Sequence, residues 1–258
     1  MRADPDVALA AETARLAVEA GAAAALRHFR TDLEITLKPD RSPVTQADRD
    51  AESAILDVLR RVFPEHATLA EESGTAGAGR DRWIVDPLDG TKGFSRGGSF
   101  WGPLVAYERD GVVLAGAMAL PALGETYWAG RGLGAWRDAD RLHVSTVAAW
   151  EDATLSLGEL RSLLAPPFGD GVRALVASAA SARCYGDLAG AAMLLQGKAD
   201  AWIEAGVRPW DLGPIAILVE EAGGRFTDVD GNAAPLGDHA IATNGALHDH
   251  VLAALRAV

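Results

Sequence analysis

Trp83-Ile-Val-Asp86-Pro87-Leu88-Asp89-Gly90-Thr91-Lys92-Gly93-Phe94 is the densest signal in the chain. An apolar run leads straight into two carboxylates three residues apart, with proline between them and Gly-Thr behind. The run reads as a strand whose end places Asp86, and the turn that Pro87 begins swings Asp89 back beside it. Two carboxylates a few ångströms apart repel, and burying both without a partner is strongly unfavourable. A divalent cation removes that conflict, and hard oxygen donors suit magnesium or manganese. Backbone N–H groups at Gly90 and Thr91 could then hold a phosphate oxygen if a helix begins there. A plain turn, with Asp86 and Asp89 accepting only from nearby backbone N–H groups, would use the same residues. This stretch alone leaves both readings open.

Upstream, residues 7–30 read as a helix, with Val7, Leu16, Leu26 and Phe29 spaced among alanines. Thr31–Thr36 is a brief strand or extended segment, and 38–43 is a polar, proline-punctuated loop. Thr45-Gln-Ala-Asp48 is a capping-box-like start for a second helix, with Ile55, Leu56, Val58, Leu59 and Val62 as its buried face and Pro64 as its stop. Downstream, 104–108, 112–120 and 126–129 read as strands, with a turn at Arg109-Asp-Gly111 and a Gly-rich hairpin over 129–136. Beyond about residue 145 the pattern alternates. Helices are expected at 186–196, at 211–222 with Gly223-Gly224 as C-cap, and at 246–257. Strands are expected at 174–178, 200–204, 225–228 and 240–243. The fold class is therefore α/β: an α+β half over 1–145 and an α/β half over 146–258.

The 258 residues are 49% apolar and 23% charged, ordinary for a soluble globular protein, with a net charge of −12. That charge argues against nucleic acid or anionic membrane as partner, but admits a small phosphorylated molecule if cations mediate the contact. Residues 1–30 carry too many charges for a signal peptide or a membrane span, so a cytoplasmic location is expected. One cysteine, Cys184, allows no internal disulfide and is expected to be a small buried hydrophobe. The histidines at 28, 66, 143, 239, 248 and 250 fall in no motif, so a phosphohistidine route has no evident nucleophile. The Gly-rich pieces at 93–98 and 130–134 lack nucleotide-binding spacing.

Three further acidic groups each have a bland explanation. Glu71 and Glu72 of Glu71-Glu72-Ser73 read as loop charges, Asp211 of Trp210-Asp211 as an N-cap ahead of Pro214, and Asp48 as the capping-box acid. Together, Glu71-Glu72-Ser73, Asp86-Pro-Leu-Asp-Gly-Thr91 and Trp210-Asp211, in this order and spacing, resemble the inositol monophosphatase family of magnesium-dependent, lithium-sensitive phosphatases. The likeness runs from Pro39-Asp-Arg-Ser-Pro-Val-Thr-Gln-Ala-Asp48 to Ala242-Thr-Asn-Gly245. Ser99-Phe-Trp101-Gly-Pro-Leu, Tyr127-Trp-Ala-Gly-Arg-Gly-Leu-Gly-Ala-Trp136, Tyr185-Gly-Asp187 and Ala242-Thr-Asn-Gly-Ala-Leu-His-Asp249 are similar to its histidinol-phosphatase branch. Gly98-Ser-Phe and Leu212-Gly-Pro214 depart from that branch, and Pro214 is expected in the first turn of its helix.

The resemblance implies a layered αβαβα sandwich, a homodimer, and two to three Mg2+ ions per site, with Mn2+ as a substitute. It implies Glu71, Asp86 and the Leu88 carbonyl as ligands of one ion, and Asp86, Asp89 and Asp211 as ligands of a second. Thr91, paired with Asp48, would orient the attacking water, and the Gly90 and Thr91 amides would bind phosphate. Glu204, seven residues before Asp211, and Asp187 would meet the leaving group, and Lys38 the phosphate. Trp101 and Trp210 are expected to be core aromatics. The implied substrate is a small phosphate ester, L-histidinol phosphate first and inositol 1-phosphate second. A non-catalytic relative would need a broken site, yet every expected ligand and Thr91 are present.

Overall fold

The computed structural model describes residues 5–32, 34–38, 42–233 and 237–256. The side chains of Pro5 and Asp187 lie outside the described set. Chain order begins with α1 (Pro5–Leu26), a two-residue ribbon of β1 (Thr36–Leu37) and β2 (Pro43–Val44), and α2 (Gln46–Val62). Then come β3 (Ala67–Ala70), β4 (Gly74–Ala76), β5 (Asp81–Asp89), the short α3 (Thr91–Phe94), β6 (Gly102–Arg109), β7 (Val112–Leu120), β8 (Glu125–Gly130), β9 (Gly134–Arg137) and β10 (Asp140–Arg141). The rest holds β11 (Thr154–Leu157), α4 (Leu160–Leu163), α5 (Gly169–Ser178), β12 (Ser181–Arg183), α6 (Asp187–Leu195), β13 (Ala201–Ala205), α7 (Pro209–Glu221), β14 (Arg225–Thr227), β15 (His239–Thr243) and α8 (His248–Arg256).

Two sheets carry the fold. The first runs β10-β9-β8-β7-β6-β5-β3-β4 and the second β12-β11-β13-β15-β14. Strand alternation decides which layer each face meets. On β5, Trp83 and Val85 face α1 and α2, packing with Ala14, Val18, Ile55 and Leu59. Ile84, one step out of phase, faces α7 with Leu212 and Ile217. On β13, Trp202 joins that same central core, while Ala201 and Ile203 face α5 and α8. The layers are α1/α2, sheet, α6/α7, sheet, α5/α8: the αβαβα sandwich that the resemblance implied.

Four local expectations need correction. Residues 174–178 are the second half of α5, not a strand. Buried Val172 and Leu175 lie at helical spacing, and Gly171 meets α8 so closely that a Cβ would stand 2.4 Å from the Ala254 carbonyl. On α1 the buried stripe is alanine and valine, while Leu16 and Leu26 are exposed. Small residues let α1 lie close on β8, where a Cβ at Gly130 would come within 3.2 Å of Ala11 and Val7. Val62 of α2 is exposed too, lying past the turn that packs. Finally, α7 starts at Pro209, so Asp211 is its third residue rather than its N-cap. Pro214 therefore falls in the second turn, where it has no N–H to offer the Trp210 carbonyl. No helix among the described residues is long and apolar enough to cross a membrane.

Candidate active site

β5 brings the first two carboxylates together by breaking its own register. Pairing with β6 is regular from Asp81 to Asp86, then shifts before Asp89 meets Gly102. Pro87, which has no N–H for a ladder, sits inside that shift. Asp86 is 2% exposed and accepts from Leu88 N at 2.9 Å. Gly90 follows at φ 80°, and a Cβ there would also lie 2.7 Å from the Phe100 carbonyl, so both conformation and space require glycine. The turn delivers Thr91 to α3, where its hydroxyl lies 2.9 Å from Leu88 O and 3.1 Å from Asp48 Oδ1.

Asp48 arrives from α2 by the capping box that the sequence suggested. Its Oδ2 accepts from Thr45 N and Thr45 Oγ1, both at 2.7 Å, and Thr45 Oγ1 in turn accepts from Ala47 N. Burial raises the Asp48 pKa, opposed by the hydrogen bonds from Thr45 and Thr91. Asp211 is aimed into the site by the first turn of α7, where its Oδ2 accepts from Arg208 N at 2.7 Å. Oxygens of Asp86, Asp89 and Asp211 all lie within 4.8 Å of one another. Burial first, and then the charges of Glu71, Asp211 and Asp89, push the Asp86 carboxyl well above the ordinary carboxylate range. The donor set is hard oxygen and excess negative charge, which a divalent cation satisfies. The cluster could hold a metal ion.

Glu71 stands at the end of β3, extending the parallel pairing through its N–H to Val85 O at 3.0 Å. Lys38 Nζ bonds Glu71 Oε1 at 2.8 Å and Glu72 Oε1 at 2.6 Å. Burial works against the Lys38 charge, but these two hydrogen bonds prevail and its pKa is raised. Glu72 is raised by burial.

One cavity of about 370 Å³ collects most of the acidic groups. Asp86, Leu88 and Asp89 line it from β5, Glu71 from just past β3, Gly90 and Thr91 from the turn into α3, Asp211 from α7 and Glu204 from β13. Glu204 is 2% exposed, and its Oε1 accepts from Glu159 N at 2.6 Å and Ala205 N at 3.0 Å. Asp187 opens α6, but its side chain lies outside the described residues. Trp101 is fully buried against Phe29 and Phe94, a core aromatic as expected. Trp210 both packs on the central core and lines the cavity. Cys184 is exposed rather than buried, with Sγ 3.3 Å from the Gly158 carbonyl. It lies just beyond the three-residue β12, the edge strand of its sheet among the described residues.

Sequence reasoning missed Lys92, Glu159 and Arg208, which also line the cavity. Glu159 had no motif to betray it; only recognition of β11 would have placed a strand end there. Its Oε2 caps α4 through Ser162 N at 2.7 Å.

The sequence model described as the inositol monophosphatase family matches residues 6–258. A histidinol-phosphatase of Mycobacterium tuberculosis is 43% identical over 239 residues, covering 90% of this chain and 92% of that protein. A histidinol-phosphatase of Streptomyces coelicolor is 37% identical, covering 93% and 94%. Among solved structures, an inositol monophosphatase from Anabaena superposes with a TM-score of 0.85 at 28% identity, over 98% of this chain and 97% of that one.

Proposed function

The chain belongs to the inositol monophosphatase family and is a phosphomonoesterase; from that premise we propose that it hydrolyses L-histidinol phosphate with magnesium. The observation that carries the reading is one cavity that joins the Asp86, Asp89 and Asp211 carboxylates to the buried Glu204 carboxylate. The first group suits the phosphate end through cations, and Glu204 suits a leaving group bearing an ammonium. The names of the two histidinol-phosphatases support the same substrate.

Glu71, Asp86, Asp89, Asp211 and the Leu88 carbonyl would hold two magnesium ions, with room in the charge balance for a weaker third. Bound there, magnesium supplies Lewis acidity that acidifies water and positive charge that offsets the phosphoryl oxygens and the leaving oxygen. The protein's own groups do the positioning. The Thr91 hydroxyl has one proton, which goes to Asp48 Oδ1 or to Leu88 O. Either lone pair of the hydroxyl oxygen can then accept a hydrogen from the attacking water and fix that water's direction. Asp48 is itself fixed by Thr45, so the pair is preorganised. The Gly90 and Thr91 amides open α3 and are available to a non-bridging oxygen. Lys38 would approach the phosphate, and Asp187 and Glu204 the leaving group.

Phosphate release from histidinol phosphate and inositol 1-phosphate, measured side by side with magnesium, tests this. A preference for histidinol phosphate of about a hundredfold in kcat/KM corresponds to about 2.7 kcal/mol of differential transition-state binding and supports the reading. Equal rates, or a preference for inositol 1-phosphate, would leave a phosphatase of the inositol type, the reading favoured by the Anabaena structure.

A further inference from the structure

We propose that Lys38 is a built-in competitor for the divalent ion: its ammonium holds the Glu71 carboxylate, and must be exchanged for the ion before the site is complete. The proposal rests on the reading of Glu71 as an ion ligand. Lys38 Nζ lies 2.8 Å from Glu71 Oε1 and 2.6 Å from Glu72 Oε1, with the three side chains only 20%, 23% and 15% exposed. Such partly desolvated, charge-assisted contacts are stronger than a surface pair. An ammonium and a divalent cation on one carboxylate repel each other, so binding of the ion works against the lysine's position.

The two sides of this contact are anchored very differently. Glu71 extends β3 onto β5 through Val85 O, and Glu72 N donates to Oε2 of the buried Glu52 at 2.9 Å. The backbone that carries both carboxylates is therefore tied to the large sheet and to α2. Lys38 follows β1, a strand of two exposed residues paired, among the described residues, only with β2, and its N–H donates to Ser42 O at 2.8 Å. When the ion arrives, the carboxylates stay and the lysine moves. The ion's measured affinity is thus its intrinsic affinity reduced by the free energy of the lysine contact. The released ammonium keeps its charge at the rim, where a phosphate oxygen is its natural next partner.

Isothermal titration of magnesium into the substrate-free full chain tests the exchange without reading activity. Lys38→Met should bind magnesium tighter by about fivefold or more, a gain that a merely structural defect would not produce. Lys92→Met removes a cation that lines the cavity itself and should change affinity by less than about twofold. Equal or weaker binding by Lys38→Met overturns the proposal. An equal gain in Lys92→Met overturns it too, because the effect would then be the general field. Should Lys38→Met fail to fold, Lys38→Gln must show the same gain. If the unmodified chain binds no magnesium at all, the metal reading itself falls and takes this proposal with it.

Discussion

Asp86 and Asp200 are both buried aspartates, 2% and 5% exposed, one in each sheet's neighbourhood, yet their surroundings are opposite. Around Asp86 the nearest charged groups are more carboxylates: Glu71, Asp89 and Asp211. Around the Asp200 carboxylate the hydrogen-bond partners are donors. Ser145 Oγ and Thr154 N donate to its two carboxylate oxygens, and Asn244 joins through Ser145, with Nδ2 2.9 Å from that hydroxyl. Asn244 also bonds Val147 O, so the knot stitches the chain before β11 to the end of β15. One buried acid is surrounded by donors of its own protein and the other is crowded by like charge. Equal burial therefore carries opposite meanings, and the partners decide which.

The largest effect should come from neutralising the self-repelling cluster. Asp89→Asn should lower magnesium-dependent phosphate release by about a thousandfold or more, ~4 kcal/mol of transition-state stabilisation. Its urea midpoint without magnesium should stay level or rise, since a mutual repulsion is removed. A variant that lost activity and stability together would make Asp89 a structural acid like Asp200 and erase the contrast. Asp200→Ala is the converse. It strands the Ser145 hydroxyl and the Thr154 amide and should cost about 3–4 kcal/mol in urea unfolding, while kcat/KM per folded molecule stays near that of the unmodified chain.

His248 extends the satisfied side of the comparison and gives it a pH signature. It is fully buried between two hydroxyls, with Nε2 2.9 Å from Thr227 Oγ1 and Nδ1 3.0 Å from Thr243 Oγ1. Thr227 gives its own proton to Asp228 O, so it accepts from Nε2–H, and Thr243 then donates to Nδ1. The neutral ring fits that arrangement. Burial, and secondarily Arg225 and Arg256, lower its pKa from 6.5 to about 4. The unfolded chain thus takes up this proton at a higher pH than the folded one. The stabilisation is whole above pH 6.5 and is lost as pH falls from 6.5 towards 4, at most about 3 kcal/mol. His248→Gln should flatten that part of the stability curve in urea titrations at about pH 7 and about pH 4.5. An unchanged acid slope would move the titrating group elsewhere.

The two sites differ as well in how far the sequence revealed them. Asp86 and Asp89 were visible because Pro87 and Gly90 mark the turn that pairs them, and a turn is a local event. The strands from β5 to β8 and the helices α2 and α7 were visible through periodicity and caps for the same reason. Asp200 carried no signal at all, because its donors come from residues 145 and 154, far along the chain. Glu159 was hidden likewise by its dependence on β13 across the sheet. The second half of α5 was misread because Ala174-Leu-Val-Ala suits strand and helix equally, and contact with α8 decides between them. The exposed leucines of α1 misled in the other direction: close approach to the sheet selects alanine, so size was the wrong guide to burial.

Asp48 lies between the two types, and it allows the finest test. Its Oδ2 is spent on the cap of α2, as Asp200 is spent on its knot, while its Oδ1 accepts from Thr91, which lines the cavity. Thr45→Ala removes one of the two donors to Oδ2 and the cap acceptor for Ala47 N, leaving Thr45 N in place. The expected loss is about 1 kcal/mol of stability, the ordinary magnitude for an N-cap. Because Asp48 remains but is less firmly held, kcat should fall by roughly threefold to tenfold with KM little changed. A Thr45→Ser variant keeps the hydroxyl and should recover both quantities. If Thr45→Ala loses its stability with kcat untouched, the two oxygens of Asp48 act independently and the cap plays no part in orienting Thr91. If both quantities move and serine restores both, one carboxylate serves the helix and the chemistry at once, and the boundary between satisfied and functional acids runs through a single residue.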